Sequence, residues 1–214
     1  MDATNIIGFI QATIRMSTPI LLASLGGMFT ARVGIVNFAL EGIMIVGAFL
    51  GVYGSYTTGN PWVGALMGAA GGVVAALILG FMSITAKVDQ VVAGTGINIL
   101  FLGLTSYLLN VLFGIGVKPS KVTAFAELPI PGLSKIPILG DIFFNQIPLV
   151  YLAIILVPVC WYIVYKTSFG LNMRAIGENP RAADSVGLDV VKMRYIAIII
   201  SGILGGLGGA FLSI

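Results

Sequence analysis

Six uninterrupted apolar runs constrain this chain more than anything else in it. They cover Ile6–Phe29, Phe38–Tyr56, Pro61–Ile84, Val91–Phe113, Ile147–Tyr165 and Tyr195–Ile214. A helix needs about twenty residues to cross a hydrocarbon core ~30 Å thick, and each run is about that long. None alternates apolar and polar residues with period two, which excludes a transmembrane β-barrel. Composition agrees, because only 9% of the residues are charged and 58% are hydrophobic. Soluble domains carry about a quarter charged residues. The fold class is therefore all-α, a polytopic membrane bundle of about six transmembrane helices forming one transmembrane domain over residues 1–214. The first run is no cleavable signal peptide, since it is too long and has no basic start, Asp2 being its only early charge.

Several chemistries drop out at once. The chain has no histidine, so His-based zinc sites, Ser–His catalysis and His proton relays are excluded. Cys160 is the single cysteine, so no intrachain disulfide forms. No G-x-x-x-x-G-K-[ST] phosphate loop is present. We expect no catalytic residues, no metal and no cofactor held by the chain itself. Eleven basic and eight acidic residues are too sparse for a nucleic-acid surface, so the positive excess marks a membrane side instead. Lys166, Arg174, Arg181, Lys192 and Arg194 cluster in 166–194, which places that loop in the cytoplasm. Alternation then puts Arg32 and Lys87 inside, Lys118, Lys121 and Lys135 outside in loop 114–146, and the N-terminus outside.

Both long loops have features of their own. The outer one contains Pro119, Pro129, Pro131 and Pro137, a density that favours stiff, extended backbone and suits either a connector or a docking segment. In the cytoplasmic one, Asn179 is an N-cap, Pro180 stands at the first helical position, and Gly187 stops a short helix over Arg181–Val186. Asp189 caps the segment that follows. Ala182, Ala183 and Asp184 lie within this helix, which reads as a partner contact, with a solvated turn as the bland alternative.

Polar residues at membrane depth are costly and are functional candidates. Arg15 precedes by four residues Pro19, which removes the hydrogen bond that the Arg15 carbonyl would accept. Either Ser17 and Thr18 satisfy that carbonyl or the break lines a path. Asn37 is suited to cap the second helix with Glu41 in its first turn, unless a re-entrant segment carries Glu41 inward. In the fourth helix Gln90, Gly94, Asn98 and Thr105 fall in one arc at 100° per residue, which either packs on other helices or lines a cavity. Gly64, Gly68 and Gly72, with Gly202/Gly206 and Gly205/Gly209, have the small-residue spacing that lets helix backbones touch.

Three passages resemble the membrane-spanning permease subunits of bacterial ABC importers for simple sugars and nucleosides, in the branch that works with basic-membrane-protein lipoproteins. They are Thr18–Gly47, with Gly34-Ile35-Val36-Asn37 and Leu40-Glu41-Gly42; Asp89–Asn98, with Asp89-Gln90-Val91-Val92-Ala93-Gly94-Thr95; and Phe169–Gly187. The last is similar to the importers' E-A-A-x-x-x-G loop, with Arg181 in the Glu position and Ala182, Ala183 and Gly187 matching. The resemblance implies that Asn179, Pro180, Arg181, Ala182, Ala183, Asp184 and Gly187 couple the chain to a separate ABC ATPase subunit carrying ATP–Mg. It also implies a second permease subunit, like or unlike, a solute-binding lipoprotein outside, and a place in the bacterial inner membrane. The substrate-path candidates are Arg15, Asn37, Glu41, Gln90, Asn98 and Thr105. Relatives of this type run on through further helices, so the chain reads as a fragment. The alternatives are a branched-chain amino acid permease of the same class, or an ion-coupled secondary transporter, for which Glu41 alone is a plausible membrane-depth carboxylate.

Overall fold

The structure, a computed structural model, describes residues 3–114, 122–126, 128–129 and 145–214. Among the described residues, α-helices run in the order α1 (Ala3–Arg32), α2 (Leu40–Thr58), α3 (Pro61–Gly80), α4 (Gln90–Phe113), α5 (Pro148–Lys166), α6 (Ser168–Glu178), α7 (Pro180–Ser185) and α8 (Val190–Ser213). A π turn, Phe81–Thr85, extends α3. Five of these are long and apolar enough to cross a membrane: α2, α3 with its π turn, α4, α5 and α8. The sixth expected span, Ile6–Phe29, falls within α1, which is thirty residues long.

The centre is built by α2, α3 and α8, with α1 on the far side of α8. Their mutual approach is set by glycine. A Cβ on Gly72 would overlap the Gly202 carbonyl, and one on Gly47 would overlap the Gly206 carbonyl. Lipid offers no hydrophobic drive for helix association, so close packing of this kind supplies it. A larger residue at either place would push the helices apart. Leu22, Phe29, Ile43, Leu79 and Ile198 fill the core around this seam.

At the end of the bundle away from Arg32, α2 and α3 join through Gly59 and Asn60. Asn60 caps α3 by accepting from the Trp62 N–H, with Pro61 at the first helical position. Part of the loop 114–146 is pinned here. Ser55 Oγ donates to the Thr123 carbonyl at 2.8 Å, and Phe125 is buried edge-on against Trp62. A two-residue antiparallel pair, Leu128–Pro129 with Asn145–Gln146, closes the loop's base. Lys118, Lys121, Lys135, Pro119, Pro131 and Pro137 lie outside the described residues.

The segment expected to be a loop with one short helix holds two. Besides α7, Thr167 caps α6 by accepting from the Gly170 N–H, and Gly170, Met173 and Ile176 are buried on its inner face. The α7 helix starts at Pro180, as expected of the first helical position, and ends at Ser185, one residue before the expected Val186, with Asn179 Oδ1 accepting from the Ala182 N–H. Gly187 follows at φ 88, a left-handed conformation that glycine adopts without strain.

Candidate translocation site and coupling helix

Between α1 and α2 the chain leaves helical geometry over residues 33–39 while staying inside the bundle. Val33, Ile35, Asn37 and Ala39 are buried. Backbone in such a place must find partners, and side chains from distant helices supply them. Gln90 Oε1 accepts from the Val36 N–H at 2.9 Å. Asn98 makes two bonds, donating to the Phe38 carbonyl at 2.9 Å and accepting from the Gly42 N–H at 2.7 Å. Gly94, between them, faces Phe38, where a Cβ would come within 2.5 Å. Three members of the polar arc of α4 therefore sit against one unwound segment.

Asn37 does not cap α2. The N-cap is Ala39, which has no side-chain oxygen. Asn37, only 8% exposed, instead accepts from the Ala39 N–H and donates to Ser201 Oγ of α8 at 2.9 Å. The capping role falls to Asn98, fifty-six residues away, because Gly42 carries one of the orphan N–H groups of the first turn of α2. Thr105, buried, turns its hydroxyl to the Phe101 carbonyl of its own helix. Arg15 lies near the end of the bundle where α5 begins, donating through Nε to Gln146 Oε1 at 3.0 Å. Ser17 and Thr18 both turn to the Ile14 carbonyl, so neither takes the place of the bond that Pro19 removes from Arg15.

Glu41 is different. It is exposed and opens into a cavity of about 380 Å³ shared with Met44, Ile45, Ala48 and Leu212. Its depth follows from register. Gly42 is level with Asn98, eight residues into α4, or about 12 Å at 1.5 Å per residue. Ile43 faces Gly205, fifteen residues into α8. The unwound segment thus carries Glu41 inward, and α2 begins inside the bundle.

The opposite face of the same connection meets the basic end of the molecule. Arg194 Nε donates to the Val33 carbonyl at 3.3 Å, and Gly177 of α6 packs directly on the Arg32 carbonyl. Arg32 and Arg174 each stand 5.4 Å from the Tyr165 ring centroid, a cation–π pair of contacts beside Glu178. On α7, Ala183 is 4% exposed and packs into the chain's own core. Arg181, Ala182, Asp184 and Gly187 are exposed. So is Val186, at 76%, which sequence reasoning passed over. Its signal was an apolar residue set beside a helix-stopping glycine in an otherwise polar turn.

Residues 9–214 match the family described as branched-chain amino acid transport system / permease component. The chain belongs to that family. Among its relatives, the guanosine ABC transporter permease protein NupQ of Bacillus subtilis is 42% identical over 98% of this chain and 68% of its own length. The nucleoside ABC transporter permease protein NupC of Lactococcus lactis is 38% identical, with the same coverage of each. A second Bacillus subtilis protein, the guanosine ABC transporter permease protein NupP, is 30% identical over 94% of this chain and 59% of its own length. The chain thus spans about two thirds of the length of NupQ and NupC. No solved structure gives a significant match. As a member of this permease family with several membrane-crossing helices, the chain is a multi-pass membrane protein and a transport subunit.

Proposed function

We propose that this chain is the permease subunit of an ATP-driven importer that carries nucleosides into the cell. The observation that carries the reading is the 42% identity to a guanosine permease across 98% of the chain. The permease does no covalent chemistry and holds no cofactor. ATP–Mg is bound and hydrolysed on a separate ATPase subunit, and a lipoprotein outside delivers the solute. The basic end faces the cytoplasm, as the clustering of Arg32, Lys166, Arg174, Arg181, Lys192 and Arg194 supports, and the N-terminus lies outside. ATPase closure is felt at α7 through Arg181, Ala182, Asp184 and Val186. From there it reaches the unwound segment through Gly177 and Arg194, which touch it directly. A second permease subunit completes the path. Two guanosine permeases of one Bacillus subtilis strain, both similar to this chain, favour an unlike partner.

The test is uptake by proteoliposomes containing the permease pair, its ATPase and its binding lipoprotein. We expect ATP-dependent accumulation of labelled guanosine and not of ribose or leucine. Accumulation of ribose or leucine without any nucleoside overturns the reading.

A further inference from the structure

Five of the six polar candidates are engaged. Gln90, Asn98 and Asn37 serve the unwound backbone, Thr105 its own helix, and Arg15 the outer loop. Glu41 is left. Its carboxylate has no hydrogen-bond or ion-pair partner among the described residues, it is exposed, and it stands about 12 Å inside the start of α4. A charged side chain among membrane-crossing helices persists only where it meets a partner or a water-filled cavity. The cavity beside it, about 380 Å³, falls within the ~300–1,000 Å³ of small-molecule sites. Its other walls, Met44, Ile45, Ala48 and Leu212, are all apolar.

We propose that Glu41 selects the solute: its two carboxylate oxygens accept the paired N–H donors on the edge of a guanine-type base, whose flat face lies on Met44, Ile45 and Leu212. The inference rests on the nucleoside reading above. An ionised carboxylate only accepts hydrogen bonds, and its two oxygens match two parallel donors best. Guanine presents such a pair, a ring N–H beside an exocyclic amine. Hypoxanthine has the ring N–H alone. Adenine sets a ring lone pair beside its amine, which would face the carboxylate repulsively. The apolar walls favour the base over the ribose, because a flat aromatic face loses nothing against Met44 and Leu212, whereas hydroxyls buried there would go unpaired.

The experiment measures competing uptake of guanosine, inosine and 2′-deoxyguanosine by the complete importer, with wild-type chain and with Glu41→Gln. The binding lipoprotein is the same in both, so a change in ratio reports the permease alone. Glu41→Gln should cut guanosine uptake about tenfold or more, as loss of a charge-assisted bond does. The guanosine-to-inosine ratio should fall by a similar factor, and deoxyguanosine should follow guanosine. An unchanged ratio overturns the inference, as does a change that separates guanosine from deoxyguanosine. Should Glu41→Gln fail to assemble, Ala48→Cys in a Cys160→Ala background, which keeps Glu41 and places the thiol in the same cavity, replaces it. A membrane-impermeant thiol reagent should then label position 48, with guanosine protecting better than inosine; absent labelling or equal protection overturns the proposal. An importer that moves no nucleoside sinks the functional reading as well. One that moves nucleosides with a selectivity indifferent to Glu41 sinks this inference alone.

Discussion

Replacing Asn98 with leucine keeps the side chain's volume and removes both of its hydrogen bonds. The Gly42 N–H and the Phe38 carbonyl then lose their partners inside the bundle. Leaving a buried backbone group unpaired costs about 1–3 kcal/mol, while interhelical bonds in membrane proteins average only about 0.6 kcal/mol. Two such groups together give a loss of roughly 1–4 kcal/mol. For a chain of this size each kcal/mol lowers Tm by about 2–4 °C, so the variant should melt about 2–16 °C lower. A thermal melt of the purified complex measures this, and uptake should be corrected for the fraction that remains folded. Asn98→Asp retains the acceptor for Gly42 and loses the donor to Phe38, so it should fall between. The reasoning fails if Asn98→Leu melts normally while uptake drops tenfold. That pattern would put the amide on the solute and not on the backbone.

Two further perturbations test other parts of the structure. Gly72→Ala adds one methyl group against the Gly202 carbonyl and should cost about 1–3 kcal/mol, the usual penalty for overpacking; Gly96→Ala, with open space around it, should leave Tm unchanged, and equal effects in the two would refute the seam. Val186→Asp should leave the complex assembled and reduce ATP-driven uptake at least tenfold, whereas Ala183→Glu, forced into the chain's own core, should lower the yield of folded protein; the reverse pattern would refute the assignment of α7 surfaces.

Features that depend on neighbouring residues were legible in the sequence. The cap at Asn179, Pro180 at the first turn and the stop at Gly187 all act within a few residues, so α7 appeared within one residue of its place. The membrane spans were legible for the same reason, since apolarity is a property of the run itself. The start of α2 was not. Asn37 has the right chemistry for a cap, but where that helix begins is decided by Asn98 on another helix, and nothing near Asn37 encodes it. The arc of α4 was visible as a pattern while its partner was not, because the unwound backbone that it serves lies more than fifty residues earlier. The α6 helix was missed for a different reason. Its Phe169, Met173 and Ile176 have i, i+4, i+7 spacing behind a Thr167 cap, a signal present in a passage weighed for its charges, its caps at Asn179–Gly187 and its resemblance, and not for apolar periodicity. For Glu41 the sequence left two alternatives open, and it is the register of the chain that sets the start of α2 beside Asn98 of α4 and Gly205 of α8.

The short link at Gly59 and Asn60 bears on how the protein enters the membrane. The α2 helix is the least apolar of the five spans, with a mean hydropathy of 1.2 against 2.1 for α3 with its π turn, and it opens with a carboxylate. Alone it is a poor candidate to leave the translocation channel for lipid, where an acidic residue at a helix centre costs about 2.5–3.5 kcal/mol. With only two residues between them, α3 follows at once and brings Gly64 against Gly51 and Gly54. The two are thus expected to partition as one hairpin, the more apolar helix drawing in the weaker, so that Glu41 reaches its depth during synthesis and not by later rearrangement.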